Sequence, residues 1–377
     1  MNFSEITNIN IPEGVVKKIT TLEGVVLWKK GDSNIPDLPT PLANEIYYIS
    51  TDGNIVEPYK IPTNNTLKSN TYKNGVGKLV FEKDLTSINN YFFNDCTTLQ
   101  TIVIPQGVSQ MYYGTFKDCI SLENVIFPNE GFYIIGDECF NGCTKLKTIV
   151  LPSTATTIGK NAFKNCTKLK TVVLPDSLKR IDDNAFYGCS SLLYITIPEN
   201  VNYLGGKIDG NTLYGEGNVF MNCTALKSII IPDSINIIRS ENFYNCYSLE
   251  NVDLGNSVEV IDKNAFYGCS SLTTITIPNT VKLIEDSAFQ NCYSLQNIEL
   301  PSTLTSIGDS AFYQCYSLRT IISKAMTAQT IETYTFWNVG TKVPEGTPKI
   351  LYVPKGSTGY ETWLEQLEGF TIEYITE

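Results

Sequence analysis

Asn161–Leu192 reads NAFKNCTKLKTVVLPDSLKRIDDNAFYGCSSL, and within it the chain starts over. The series Asn161-Ala162-Phe163, Cys166, Leu169, Val172, Leu174-Pro175 returns as Asn184-Ala185-Phe186, Cys189, Leu192, Ile195, Ile197-Pro198, 23 residues on. A fixed period of this length is the mark of a solenoid, in which one supersecondary unit stacks on the next. Followed outward, the phenylalanine stands at Phe93, Phe116, Phe140, Phe163, Phe186, Phe220, Phe243, Phe266, Phe289, Phe312 and Phe336. Each step is 23 or 24 residues except Phe186 to Phe220, which is 34. The sequence therefore predicts eleven repeats and one insertion of about eleven residues.

Each position in a repeat has a physical reading. In Leu169-x-x-Val172-x-Leu174 the strand period of two puts Val172 and Leu174 on one face, and Thr171 and Val173 on the other. Pro175 ends the ladder, because it has no N–H to donate. Leu178 and Ile181 begin a second short extended piece, and Asp182 or Asp183 is placed to cap the turn that follows. Phe186 and Cys189, three apart, predict a short helical or 3-10 turn. A lone repeat buries too little to offset the cost of ordering it, so stability has to come from stacking, and both ends need caps.

Composition narrows the function. The chain has 377 residues and a net charge of −11, which disfavours a phosphate backbone as partner. It contains no histidine, which removes the commonest general base, the Ser-His and Cys-His pairs and most zinc and haem sites. We therefore expect no enzyme, no cofactor and no metal. No apolar run is long enough to cross a membrane. Ten of the eleven cysteines share one column, three residues after the phenylalanine, and Cys139 takes the place of the alanine before Phe140. A single column reads as small buried side chains with inert thiols rather than as disulfides.

The chain divides into four parts. Residues 1–31 form a small β-hairpin unit, with Val15–Ile19 and Val25–Trp28 around Thr21-Leu22-Glu23-Gly24. Residues 32–75 supply a proline-rich linker and an N-terminal cap, in which Glu45–Ser50 and Asn54–Tyr59 are expected strands around Thr51-Asp52-Gly53. Residues 76–340 carry the eleven repeats. Residues 341–377 close the far end with strands at Ile350–Val353 and Phe370–Ile375, and a short amphipathic helix in Gly359–Leu367 whose Trp363 and Leu367 cover the last repeat. The insertion, Gly205–Gly217, is glycine-rich and is expected to project as a loop, with Tyr214 as its aromatic contact residue.

The surfaces left for function are the outward strand positions. One column runs Val103, Ile126, Val150, Val173, Thr196, Ile230, Asp253, Thr276, Glu299 and Ile322, and its neighbour includes Thr148, Thr171 and Tyr194. Exposed apolar strips mark contact surfaces, so Val103, Ile126, Val150, Val173, Tyr194, Ile230, Asp253 and Tyr214 are the candidate binding residues. Tyr187, Tyr244, Tyr267 and Tyr313 after the phenylalanine, and Tyr247, Tyr293 and Tyr316 after the cysteine, form two further columns suited to an interface.

The unit LPxSLxxIxxxAFxxCxSLxxIxI, held in one register over roughly Gly77–Ile322, resembles the BspA-like (Treponema-type) leucine-rich repeat. The resemblance implies a leucine-rich-repeat solenoid wound as a right-handed superhelix, with a parallel β-sheet, second short strands and short turns. It also implies non-catalytic surface proteins that bind matrix proteins, other cells or receptors, so the expected partner is a protein or glycan, with self-association as a further route. Such proteins are expected outside the cell or on its surface. The start, MNFSEITNIN, reads as no secretory signal, which leaves another export route, residence inside the cell, or a signal encoded upstream. The stretch VVKKITTLEGVVLWKK looks like short modules of phage-tail and prophage proteins, and implies a virion appendage as the alternative.

Overall fold

The repeat phenylalanines stack face to face along the whole body. In the computed structural model, which describes residues 38–209, 212–214 and 216–375 together with the strands Lys18–Thr20 and Val26–Lys29, consecutive rings from Phe93 to Phe336 lie 5.1–5.6 Å apart and within 11° of parallel. That spacing is close to the distance between hydrogen-bonded strands. The stack is therefore the core's copy of the ladder outside it. The architecture is the expected leucine-rich-repeat solenoid, with parallel sheets and almost no helix.

The main ladder is a series of short parallel sets: Asn124–Ile126 pairs with Leu99–Val103, Thr148–Val150 with Thr171–Val173, Ser228–Ile230 with Asn251–Asp253, and Thr274–Thr276 with Asn297–Leu300 and on to Thr320–Ser323. Equivalent residues pair directly: Thr148 with Thr171, Val150 with Val173, Ile230 with Asp253. Tyr194 bridges Thr171 and Ser228 where the strand is reduced to a single pair. A second ladder of two-residue strands runs from Gln110–Met111 to Tyr203–Leu204, and again from Ile237–Ile238 to Thr330–Ile331. The insertion separates its two halves.

The turn holding the phenylalanine is not the helical or 3-10 turn the spacing suggests. Asn161 and Asn165, two residues either side of Phe163, have φ of 56° and 59°. Every repeat has left-handed residues at both places, filled by Asn, Gly, Asp, Glu, Ser, Tyr or Gln. Two left-handed residues four apart break any helical run into separate turns closed by bonds such as Cys166 N–H to the Phe163 carbonyl, 3.1 Å. Asn and Gly tolerate this conformation best, which explains their density around each phenylalanine.

The cysteine column is buried and free of disulfides. Each thiol from Cys119 to Cys315 in this column lies 2.9–3.4 Å from the backbone carbonyl of the phenylalanine one repeat earlier. Phe140, for example, accepts the Cys143 N–H within its own turn and the Cys166 thiol from the next. Cysteine is thus small enough for the core and also donates to the carbonyl's second lone pair. Burial pushes these thiols up, as at Cys143 and Cys189, and keeps them protonated.

The ends are closed by different means. At the N-terminal end Glu45–Ser50 pairs antiparallel with Val76–Phe81 on one side and with Leu99–Val103 on the other. Leu67–Lys73 extends this sheet through the Asn74-Gly75 turn, where both φ are positive. The strand expected at Asn54–Tyr59 does not form; Pro58 removes a ladder donor. Val56 instead turns inward, its N–H donating to the Tyr48 hydroxyl and its carbonyl accepting Asn70 Nδ2. Phe81 and Phe92 cover Phe93.

At the other end Ile350–Pro354 and Thr371–Ile375 continue the parallel ladder. The helix is only Glu361–Leu364, but it delivers a fully buried Trp363 against Phe336 at 5.1 Å, with Leu367 buried beside it. Lys18–Thr20 and Val26–Lys29 pair antiparallel. The remainder of the Val15–Ile19 and Val25–Trp28 reading lies outside the described residues.

Candidate functional site

The outer face of the main ladder brings most of the expected residues together. Ile126, Tyr194 and Ile230 are 42%, 53% and 40% exposed, Asp253 is exposed, and Val150 and Val173 are half-buried between their neighbours. Val150 pairs directly with Val173, the bridges of Tyr194 to Thr171 and Ser228 carry that register on to Ile230, and Ile126 and Thr196 hold the equivalent places of their own repeats, which gives a row of β-branched side chains. Val103 does not join it. The antiparallel cap strand places Tyr47 opposite Val103 and leaves it 7% exposed. The accessible row starts at Ile126. Beyond Ile230 it turns acidic and polar, with Asp253, Thr276 and Glu299, the last paired to Lys324.

A basic row runs beside the apolar one, and the column reading missed it. Thr144–Val150 and Thr167–Val173 read TKLKTIV and TKLKTVV. Their register superimposes Lys147 on Lys170, and the Lys170 N–H donates to the Lys147 carbonyl at 2.8 Å. Lys227 continues the row beyond Leu193, which is 37% exposed. Lys145 and Lys168 stand two residues earlier, also exposed. Among the described residues, Lys147 alone in this row has a carboxylate partner, Glu123 at 3.3 Å, and its side chain remains 65% exposed. Between Cys139 and Ile181 there are eight basic residues and one acidic residue, in a chain whose net charge is −11. The signal was the doubled TKLKT, which an overall charge conceals.

The insertion is a second feature. It is a hairpin rather than an irregular loop: Lys207–Asp209 pairs antiparallel with Thr212–Tyr214, in the register Lys207 to Tyr214. Tyr214 is on a strand of this hairpin and not on a strand of the main ladder. Its base is clamped. The buried Asp183 carboxylate accepts the N–H groups of Gly206 and Gly217, which flank the hairpin on either side. Asn242, in the alanine place before Phe243 and fully buried, donates to the Leu204 carbonyl at 3.1 Å and accepts the Val219 N–H at 3.2 Å. A Cβ on Gly217 would fall 2.3 Å from the Ser240 carbonyl oxygen, so the pinch needs glycine there.

Asp183 thus bonds across repeats instead of capping its own turn. Asp137 and Asp286 do the same with the N–H groups of Lys160 and Asp309, 23 residues on. The neighbouring Asp182 is held by Arg180, and burial raises its carboxyl above the usual range against that partner's pull.

The tyrosine columns are largely spent on one another. Tyr244 stacks on Tyr267 at 4.5 Å and Tyr293 on Tyr316 at 5.2 Å. Lys342 covers Tyr316, and Lys164 covers Tyr187. In these pairs at least one ring face is covered, while Tyr247 stays 47% exposed. Among the described residues no group of three or more His, Cys, Asp or Glu is placed to hold a metal. No helix is long and apolar enough to cross a membrane.

Comparison with known proteins matches the sequence to a family. A sequence model described as a BspA type leucine rich repeat region of six copies matches over residues 65–192 and again over 216–342. The gap between the two matched stretches contains the hairpin. Solved structures with this repeat architecture include a leucine-rich repeat protein from Bacteroides ovatus, 25% identical, covering 81% of this chain and 90% of its own, TM-score 0.34. A leucine-rich cell surface protein from Faecalibacterium prausnitzii is 22% identical, with 76% and 95% covered and a TM-score of 0.31. The pneumococcal vaccine antigen PcpA is 19% identical, with 78% and 84% covered and a TM-score of 0.36. No curated protein matches the chain.

Proposed function

We propose, from the premise that this chain belongs to the BspA-type leucine-rich-repeat family, that it is a non-catalytic binding solenoid acting outside the cell or at its surface. Its work is attachment to a protein or glycan through the outer face of the main ladder. The observation that carries this reading is the row Ile126, Val150, Val173 and Ile230, apolar and β-branched where a solvated sheet face has no need to be. The exposed carboxylates of the ladder are spread along it or paired with lysines, as Glu299 is with Lys324.

Binding fits the scaffold physically. The stacked core fixes the spacing of successive strands, so the outer rows are held rigid before any partner arrives, and little ordering cost remains. Screening the protein and a Val150→Asn/Val173→Asn variant against arrays of glycans and matrix proteins tests the reading. We expect discrete ligands for the wild type and at least about tenfold weaker binding by the variant, since a small central cluster carries most interface energy. An array on which the two proteins behave alike, or on which neither binds, removes it.

A further inference from the structure

The apolar row and the basic row lie side by side on the same strands. Lys147 and Val150 share one strand segment, Lys170 and Val173 the next, and Lys227 and Ile230 a third after the Leu193–Thr196 segment. Between the rows stand Thr148, Thr171, Tyr194 and Ser228, a polar track in direct register. Resting on the binding reading above, we infer that this face binds an extended acidic polypeptide segment in which acidic and apolar side chains alternate.

Extended chain directs successive side chains to opposite sides. Laid along the Thr148–Thr171–Tyr194–Ser228 track with its pleat flat on the sheet, such a segment sends every second side chain to the lysines and the others to the valines and isoleucines. From Ile126 to Ile230 the ladder has four strand steps, roughly 19 Å, which about six extended residues span. The hydroxyls of the track are free to pair with the backbone groups of the segment, because Thr148 and Thr171 face outward and half exposed.

Charge and apolarity together select this occupant. Lys168 and Lys170 have no carboxylate partner among the described residues, and the one ion pair in the row, Lys147 with Glu123, is solvent-exposed and weak. A neutral glycan leaves those cations unanswered. A sulfated glycan or a nucleic acid answers them but leaves the Val150 and Val173 row against solvent or charge. The acidic surroundings sharpen the selection, since Asp253, Glu250 and Glu123 border the basic stretch and repel an anion that strays from it.

The test uses the full chain and four soluble probes: the random copolymer poly(Glu,Tyr), poly-glutamate, heparin and oligothymidylate. The expected order is poly(Glu,Tyr) tightest, with binding that weakens as salt rises through about 0.15 M, where screening falls to about 8 Å. Lys147→Glu/Lys170→Glu should weaken poly(Glu,Tyr) at least about tenfold, while the charge-matched pair Lys68→Glu/Lys355→Glu, remote from the face, changes it less than about twofold.

Three results would overturn the inference: no binding of poly(Glu,Tyr) by the wild type, equal losses in the two double variants, or heparin or oligothymidylate binding tighter than the copolymer. Failure here is separable from failure of the binding reading. If array ligands are lost on Val150→Asn/Val173→Asn yet unchanged on Lys147→Glu/Lys170→Glu, the face binds but not acidic polypeptide.

Discussion

The inner turn and the outer strand of one repeat are some ten residues apart in sequence and obey opposite rules. Along the inner row, Phe93 to Phe336 never changes residue type, and neighbouring rings stay within 11° of parallel. Along the outer row the same step takes Ile126 to Val150, Thr196, Asp253 and Glu299. The inner side chain has a neighbour above and below at fixed distance, so any change of shape leaves a void or a clash in two repeats at once. The outer one meets water on one side and is free to vary. Folding is encoded by what recurs, and recognition by what does not.

Deleting the inner row's support should have the largest effect. A fragment ending at Ile231 exposes the Phe220 and Cys223 layer with nothing to replace the cap that Trp363 supplies. It should be insoluble or melt without cooperativity; a soluble fragment with a sharp calorimetric transition would break the comparison. Within the intact chain, Phe163→Ala removes a ring stacked on both sides and should cost about 3–5 kcal/mol in urea unfolding.

The clamp comes next. Asp183→Ala leaves the buried Gly206 and Gly217 N–H groups without an acceptor, at about 1–3 kcal/mol for each. Hydrogen exchange should speed at both glycines.

The thiols sharpen the comparison through pH. Burial raises their folded pKa, Cys96 to about 12 and the deeper column upward as well. A group raised on folding contributes its full stability below its unfolded pKa, about 8.5 for cysteine, and loses it as pH climbs toward the folded value. Urea midpoints should therefore be level below about pH 8 and fall above it. Replacing Cys166 and Cys189 by alanine should flatten that fall and cost about 1–2 kcal/mol at neutral pH, partly through the lost bonds to Phe140 and Phe163. The smallest effect belongs outside: Val150→Asn should move stability by less than about 1 kcal/mol while acting on binding.

Much of this was legible because the period is strict. The repeat positions and the buried columns follow from the spacing of Phe, Cys, Leu and Pro, and the closing Trp363 from the amphipathic pattern of Gly359–Leu367. What was not legible depends on backbone conformation or on contacts across repeats. The left-handed φ at Asn161 and Asn165 needs no special residue type, since Glu138 and Tyr334 adopt it too, and so leaves only a statistical trace. Asp183 looks like a local cap and instead bonds 23 and 34 residues away. Pro58 outweighed the strand pattern of Asn54–Tyr59. At the candidate site, Val103 is buried by an antiparallel strand that no repeat contains, and the lysine row was masked by an acidic total.

The central claim is that the recurring rows face inward and are spent on folding, leaving the outer strands free for recognition. Counting maleimide adducts by mass spectrometry, on the native protein without reductant and again after urea, tests it most directly. The account predicts no adduct on the native chain and eleven after unfolding. Native labelling of the column, or fewer than eleven adducts in urea, would contradict it.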